Sequence, residues 1–234
     1  MSNQQTVVLL DGGMGQELIK RSANAPTPLW SATVMRDEPD LVTTVHADYI
    51  QADARVITLN NYSATPVRLA KHGLSTAFSE LHQAAITAAQ RAIAQTNPMH
   101  PVAVAGCLPP LVSSYHAEDV PSEAACLADY RALVAAQKDG VNLFLCETLT
   151  TVREVQTAAT AGKESGHPVW VGMTVDDQDG TRLRSGESLA DGVAAAKACG
   201  AAAVLINCSW PEAITQGLPV LAASGLPFGG YANG

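Results

Sequence analysis

The chain has 234 residues, of which 47% are hydrophobic and 15% charged, and its net charge is −8 at neutral pH. This length fits one large α/β domain better than two small ones, so residues 1–234 are expected to form a single domain. The acidic balance and the lack of any lysine- or arginine-rich run argue against a nucleic-acid partner and against anionic membranes.

The sequence also lacks the signals of export or membrane insertion. No stretch of 18 apolar residues occurs, and the N-terminal segment has no basic region before its short apolar run. The five cysteines are scattered, odd in number and without CxxC spacing, namely Cys107, Cys126, Cys146, Cys199 and Cys208. This usage indicates free thiols in a reducing compartment, and we expect a cytoplasmic protein.

Short apolar, β-branched runs recur along the chain and predict seven strands. In chain order they are Val7–Leu10, Val56–Leu59, Val102–Ala105, Leu143–Cys146, Val169–Thr174, Ala203–Asn207 and the weaker Pro227–Tyr231. Continuous apolar runs are typical of strands that are buried on both faces of a parallel sheet.

Alanine-rich stretches with helical periodicity lie between these strands. They predict helices over Pro39–Ala52, Ser79–Thr96, Ala124–Lys138, Thr151–Ser165 and Leu189–Cys199. Gly140, Gly166 and Gly200 stand where such helices would end. The strand–helix alternation is compatible with an open doubly wound sheet and with a (β/α)8 barrel.

Polar or glycine-bearing residues follow almost every predicted strand, and their distribution favours the barrel. They are Asp11-Gly12-Gly13, Asn60-Asn61-Tyr62, Gly106-Cys107-Leu108, Glu147-Thr148, Asp176–Asp179 and Asn207-Cys208-Ser209. An open sheet would concentrate its functional residues at one switch point, whereas a barrel collects them from many strand ends.

The segment Asp11-Gly12-Gly13 follows the first predicted strand. Glycines allow close approach of a ligand, and backbone amides after a strand can hold an anion. The segment does not complete a dinucleotide fingerprint. A tight turn capped by an aspartate explains it equally well.

Glu147 closes the strand Leu143–Cys146 and is the most unusual of the strand-end residues. A buried carboxylate needs a cation, which could be a substrate ammonium or a structural arginine such as Arg153. Side chains alternate along a strand, so an inward Glu147 places Cys146 outward against a helix.

Cys208 and Cys107 occupy similar strand ends and are competing candidates for a ligand or nucleophile. A lone buried cysteine is more often a small hydrophobic residue. Cys126 and Cys199 lie on predicted helices and are interpreted as packing residues. None of the six histidines has catalytic or metal-ligand spacing.

These segments, taken in order, resemble the homocysteine S-methyltransferases. The resembling blocks are LLDGGMGQEL, ADARVITLNNYSA, VAGCLPP, LFLCETL, WVGMTVDDQDGTRLRSGESL, LINCSWPEAI and GGYANG, which together cover essentially the whole chain. The family includes the S-methylmethionine and betaine enzymes and the homocysteine module of cobalamin-dependent methionine synthase. Its fold is a (β/α)8 barrel.

The resemblance implies a set of substrate-binding residues. Asp11 and Glu147 would hold the homocysteine ammonium, and the amides around Gly12 and Gly13 would meet its carboxylate. Asn60 and Tyr62 fall in the block that lines the pocket, where Asn61 replaces a residue that is usually threonine.

The resemblance also implies a Zn²⁺ cofactor, with Cys208 as its first ligand. The family's other two ligands are adjacent cysteines in a Gly-Gly-Cys-Cys block at the eighth strand. This chain stops at Gly234 and contains no Cys-Cys pair. We therefore expect the polypeptide to continue beyond Gly234 with the eighth strand, its helix and the two remaining ligands.

The expected activity is zinc-dependent transfer of a methyl group from a cationic donor to the thiolate of L-homocysteine, which gives methionine. S-methylmethionine is the favoured donor because no folate- or cobalamin-binding module is recognised. The alternatives are a metal-independent barrel lyase or aldolase and a non-catalytic amino-acid-binding barrel. No predicted strand end carries the lysine that a Schiff-base aldolase needs.

Overall fold

The computed structural model describes residues 7–24 and 29–233, and these form a parallel sheet covered by helices. The strands pair in sequential order and every pair is parallel. Their bounds are β1 Val56–Thr58, β2 Ala103–Leu108, β3 Leu143–Leu149, β4 Val169–Met173, β5 Ala203–Asn207 and β6 Phe228–Tyr231. Parallel pairing requires a crossover between successive strands, which the helices supply.

Nine α-helices lie within the described ranges. They are α1 Met14–Arg21, α2 Trp30–Asp37, α3 Pro39–Gln51, α4 Pro66–Lys71, α5 Phe78–Thr96, α6 Glu123–Gln137, α7 Val152–Glu164, α8 Leu189–Ala198 and α9 Pro211–Ala222. Local sequence explains several boundaries. Thr151 and Glu154 form a complete capping box at the start of α7. Gly166 and Gly200 follow α7 and α8 with φ of +85° and +81°, as predicted for helix ends.

The sheet is curled around an inner cluster of apolar side chains. Val56, Ala105, Leu145 and Leu205 from four different strands meet there. Leu10, at one end of the strand order, and Tyr231, at the other, pack against the same cluster. Side chains from both ends of a flat sheet could not reach one cluster, so the sheet bends round on itself.

Alternation along β3 separates the inner cluster from the outer layer. Leu143 and Leu145 face the inner cluster, whereas Phe144 and Cys146 belong to the large cluster beneath the helices. The prediction that Cys146 packs outward is therefore confirmed. Cys126 on α6 is buried in the same outer cluster, and Cys199 packs against it, as expected for packing residues.

The fold prediction is confirmed as a curled parallel α/β sheet. The described residues contain six strands and no eighth β/α unit, so closure into a (β/α)8 barrel is not seen among them. The predicted strand Val7–Leu10 is wrong except for Leu10, which makes an isolated parallel bridge to Val56. This segment has a strand neighbour on one side only, and Val7 is 88% exposed.

Four helices were not predicted, and their sequences explain why. α1, α2 and α4 have only 8, 8 and 6 residues, too few for a clear helical period. α9 contains Pro219 in its interior, which normally argues against a helix. No helix in the described ranges has the length and apolar character needed to cross a membrane.

Candidate active site

A cavity of about 500 Å³ opens at the carboxyl ends of the strands. All seven residues predicted to form the site border it, namely Asp11, Gly12, Gly13, Asn60, Tyr62, Glu147 and Cys208. They come from the loops after Leu10, β1 and β5 and, for Glu147, from the last residues of β3 itself. Parallel strands point their carboxyl ends the same way, so these loops meet on one face.

Asp11 is bound to the neighbouring strand. Its carboxylate accepts hydrogen bonds from the Thr58 backbone N–H at 2.7 Å and the Thr58 hydroxyl at 3.2 Å. Burial raises the pKa of Asp11 to about 7, the Thr58 backbone hydrogen bond opposes that rise, and the charge of Glu147 adds to it.

Gly12 and Gly13 lead directly into α1, whose N-terminal turn borders the cavity. A Cβ on Gly12 would lie 2.8 Å from the Tyr49 ring, so only glycine fits there without displacing Tyr49. Gly13 is the N-cap of α1 and makes no side-chain cap. A helix N-terminus directs amides and a positive dipole end outward, which suits a carboxylate ligand.

Glu147 is the second carboxylate of the cavity. Its Oε1 accepts a hydrogen bond from the Cys107 thiol at 2.8 Å, and its Oε2 accepts one from the Tyr231 hydroxyl at 3.3 Å. Burial raises its pKa, and these two hydrogen bonds act in the opposite direction. The structural alternative, a bond to Arg153, is not found, because the Arg153 guanidinium donates to the backbone carbonyls of residues 120 and 121.

Neither Asp11 nor Glu147 forms an ion pair with any described lysine, arginine or histidine. Two desolvated carboxylates in one cavity are costly to keep charged without a cation. The cavity is therefore suited to a ligand that brings a positive charge, such as an amino-acid ammonium.

Asn60 and Tyr62 border the cavity from the loop after β1. The Tyr62 hydroxyl is hydrogen bonded to the Ser114 hydroxyl at 2.7 Å, and the Arg68 guanidinium lies 5.2 Å from the ring centre. Asn61 does not border the cavity, because its amide nitrogen bonds to the His82 ring at 3.0 Å in the outer layer.

Cys208 reaches the cavity through an unusual backbone conformation. Side chains alternate between the two faces of β5, and those of Ala203, Leu205 and Asn207 fall on the same, inner face. Strict alternation would therefore point the next residue, Cys208, outward. Its φ of +51° turns it instead, and its sulfur lies 3.3 Å from both the Thr148 hydroxyl and the Asn207 amide nitrogen. Burial raises the pKa of the Cys208 thiol.

Asn207 and Thr148 hold this turn in place. Asn207 is fully buried, its oxygen accepts from the Thr148 backbone N–H at 2.9 Å, and its nitrogen donates to the Thr148 hydroxyl at 2.9 Å. Thr148 also has a left-handed backbone, with φ of +61°. Such conformations cost about 1–3 kcal/mol each and persist where surrounding contacts require them.

Sequence reasoning missed three contributors to the site: Cys107 as a partner of Glu147, Tyr231, and the pair Asn207–Thr148. Cys107 was considered only as a rival of Cys208 for a ligand role, but its side chain is fully buried below Glu147. Alternation from Ala103 and Ala105 would have placed Cys107 inward. Nothing in the sequence marks Thr148 as left-handed.

A metal site is only partly represented among the described residues. They contain no group of three or more His, Cys, Asp or Glu side chains that could hold a metal ion. Cys208 is the only cysteine among the residues that border the cavity. These residues alone therefore do not fit a three-thiolate zinc site, and further ligands would have to come from outside them.

Comparisons with known proteins agree with an amino-acid-binding α/β enzyme. A family model described as homocysteine S-methyltransferase matches residues 8–234. The homocysteine S-methyltransferase of Escherichia coli strain K12 is 33% identical over 235 residues, covering 92% of this chain and 74% of that protein. Homocysteine S-methyltransferase 3 of Zea mays is 29% identical, covering 88% and 67%.

Solved structures give the same result. The metallated form of the homocysteine methyltransferase MmuM from Escherichia coli superposes with a TM-score of 0.82 at 27% identity, covering 98% of this chain and 92% of that chain. The fold together with these comparisons defines an S-methyltransferase of the parallel α/β type. The chain belongs to the homocysteine S-methyltransferase family.

Proposed function

We propose that this enzyme transfers a methyl group from a cationic donor, S-methylmethionine in the first place, to the thiolate of L-homocysteine and so produces methionine. The observation that carries the proposal is the combination of two half-buried carboxylates, Asp11 and Glu147, which form no ion pair with a described residue, and the Cys208 thiol on one cavity. Family membership supports homocysteine as the acceptor.

The acceptor would bind through its amino-acid head. Its ammonium would lie between Asp11 and Glu147, and its carboxylate would meet the amides around Gly12 and Gly13 at the start of α1. Charged hydrogen bonds of this kind contribute about 1.5–3 kcal/mol each. The acceptor sulfur would then extend toward Cys208, which borders the same cavity.

The reaction itself needs alignment and exclusion of water. The acceptor thiolate attacks the methyl carbon in line, a new C–S bond forms, and the bond to the donor sulfonium breaks with its electrons. The donor leaves as a neutral thioether, so no general acid is required for it. Holding both reactants in a near-attack arrangement is the main contribution of the protein.

Zn²⁺ as cofactor, with Cys208 as one thiolate ligand, is part of the proposal. Zn²⁺ favours the ionised form of a bound thiol, whose pKa near 8.5 keeps it mostly protonated at neutral pH. Because the described residues supply one thiolate only, two further ligands would have to come from outside them. A similar structure that is named as a metallated form supports a metal in this family.

Two alternatives remain as outcomes of the test. A Schiff-base aldolase needs a lysine in the site, and none of the described residues that border the cavity is a lysine. A non-catalytic amino-acid-binding protein would bind homocysteine in the same cavity without transferring a methyl group.

The deciding experiment supplies S-methylmethionine with ¹³C-labelled methyl groups together with homocysteine deuterated in its carbon chain, and follows by mass spectrometry the methionine that carries both labels, with and without a chelator. Labelled methionine that disappears with the chelator and returns with Zn²⁺ is expected. Homocysteine binding without label transfer from any sulfonium or betaine donor would support the binding protein instead. Transfer unaffected by the chelator, with no metal found by elemental analysis, would remove zinc from the proposal.

A further inference from the structure

The hydrogen bond from Cys107 to Glu147 is shorter than the one from Tyr231. The Cys107 sulfur lies 2.8 Å from the Glu147 carboxylate oxygen Oε1, and the side chain is fully buried. Burial and the nearby Glu147 charge raise the pKa of this thiol well above its ordinary value. The proton therefore stays on the sulfur, which acts as a hydrogen-bond donor to the carboxylate.

The backbone of Cys107 is itself held in place from the helix layer. Its N–H donates to the Gln137 side-chain oxygen at 2.9 Å, and its carbonyl accepts from the Gln137 nitrogen at 3.2 Å. Pairing between β1 and β2 ends at Thr58 and Ala105, so Cys107 lies beyond its last β1 partner. The fully buried Gln137 amide replaces that partner and fixes the strand end.

Both oxygens of Glu147 are thus occupied by uncharged donors, the Cys107 thiol on one and the Tyr231 hydroxyl on the other. Such donors orient a carboxylate without neutralising it. An arginine or lysine in the same place would compete with a substrate ammonium for the charge of Glu147. A thiol donor leaves that charge available to the ligand.

We propose that Cys107 is a positioning residue that orients the Glu147 carboxylate for the ammonium group of the acceptor amino acid. The inference rests on the proposed function, because it takes homocysteine as the ligand of that carboxylate. It gives Cys107 a role distinct from that of Cys208, which lies at a different strand end and faces the sulfur of the acceptor.

The test compares two ligands on the full chain by calorimetry. One is L-homocysteine, and the other is 4-mercaptobutanoate, which has the same thiol and carboxylate without the ammonium. Cys107→Ala should weaken homocysteine binding about 3- to 10-fold, because the lost hydrogen bond orients Glu147 and is not itself a bond to the ligand. It should leave the binding of 4-mercaptobutanoate unchanged. Cys107→Ser, which restores a hydroxyl donor, should recover most of the loss.

Cys146→Ala is the matched control, because Cys146 is equally buried and adjacent to Glu147 but faces the outer layer. It should leave the affinities for both ligands unchanged. An equal loss for both ligands in Cys107→Ala would mean a general packing role and would overturn the inference. So would a loss in Cys107→Ser as large as in Cys107→Ala.

A ligand-free measurement covers the case in which Cys107→Ala does not fold. The Raman S–H stretching band that Cys107→Ser removes should lie below the band that Cys146→Ala removes, because a hydrogen bond to a carboxylate weakens the S–H bond. Glu147→Gln should move the Cys107 band upward. A Cys107 band that does not move in Glu147→Gln would contradict the hydrogen bond between Cys107 and Glu147. If instead Glu147→Gln leaves homocysteine affinity unchanged, the proposed role of Glu147 fails, and the inference about Cys107 fails with it.

Discussion

The two ends of the cavity present their functional groups in different ways. At the end of β3, Glu147 follows the ordinary alternation of the strand and is held by neutral donors on both oxygens. At the end of β5, Cys208 departs from the alternation because its own backbone is left-handed. Its sulfur is held by Asn207 and Thr148. One end presents a carboxylate without an ion-pair partner among the described residues, and the other presents a sulfur whose direction depends on a left-handed backbone.

This difference indicates that the two ends will respond differently to substitution. At the end of the cavity that holds Glu147, substitutions should weaken the binding of the acceptor in proportion to the charged hydrogen bonds that they remove. At the end of the cavity that holds Cys208, substitution of Cys208 should abolish the reaction. Substitution of the residues that hold its turn should instead lower the free energy of unfolding.

The largest effect is expected for Cys208→Ser. Methyl transfer should fall to background while the fold is retained, since serine has nearly the same size and is a far weaker metal ligand and nucleophile. Labelled-methyl transfer and circular dichroism measure the two parts. Cys126→Ser is the control and should keep its activity, because Cys126 lies in the helix layer. Retained activity in Cys208→Ser would remove Cys208 from the chemistry.

Glu147→Gln should weaken homocysteine binding by about 1.5–3 kcal/mol, roughly 10- to 150-fold, and donor binding much less. The ammonium loses a charged partner, whereas the size of the side chain is preserved. Calorimetry with each substrate measures both affinities.

Glu154→Gln is a suitable control for this substitution. Glu154 is also a buried carboxylate, but it caps α7 and does not border the cavity. The Glu154→Gln variant should have a lower free energy of unfolding and an unchanged affinity for homocysteine. Equal affinities for homocysteine in Glu147→Gln and the unaltered enzyme would place the ammonium elsewhere.

Asn207→Ala should lower the free energy of unfolding by about 1–3 kcal/mol, because it leaves the Thr148 backbone N–H buried without its acceptor. Urea denaturation measures the loss. If the amide of Asn207 directs Cys208 into the cavity, alkylation of Cys208 by iodoacetamide should also change in rate. Unaltered stability and alkylation would show that the left-handed turn is held by other contacts.

The smallest effect concerns pH. Because the pKa of Asp11 is raised to about 7 in the folded protein, its ionised fraction rises roughly tenfold between pH 6 and pH 8. Homocysteine affinity should therefore rise by up to about tenfold over this range. Asp11→Asn should flatten the profile. Calorimetry in two buffers of different ionisation enthalpy detects the proton released.

The same shift affects stability in a defined direction. The folded, ligand-free enzyme favours neutral Asp11, so its stability falls as pH rises from about 4, near the unfolded pKa, to about 7. Asp11→Asn should be more stable than the unaltered enzyme at pH 8, and the difference should vanish near pH 4. A difference that is constant with pH would show that Asp11 does not titrate in this range.

The sequence by itself determined the parallel α/β class, five helices, six of the seven strands and seven of the residues that border the cavity. These features depend on local patterns, namely apolar runs, capping residues and the alternation that faces Glu147 inward and Cys146 outward. Motif resemblance added the family and the amino-acid ligand.

Only the tertiary structure decided how the site is held together. Gln137 on α6 holds the backbone of Cys107, which bonds to Glu147 forty positions along the chain. Thr148 and Cys208 take left-handed conformations because Asn207 bridges two strand ends that are distant in sequence. Local propensity opposes such conformations, so only contacts between distant residues can impose them, and no pattern within a single segment contains those contacts.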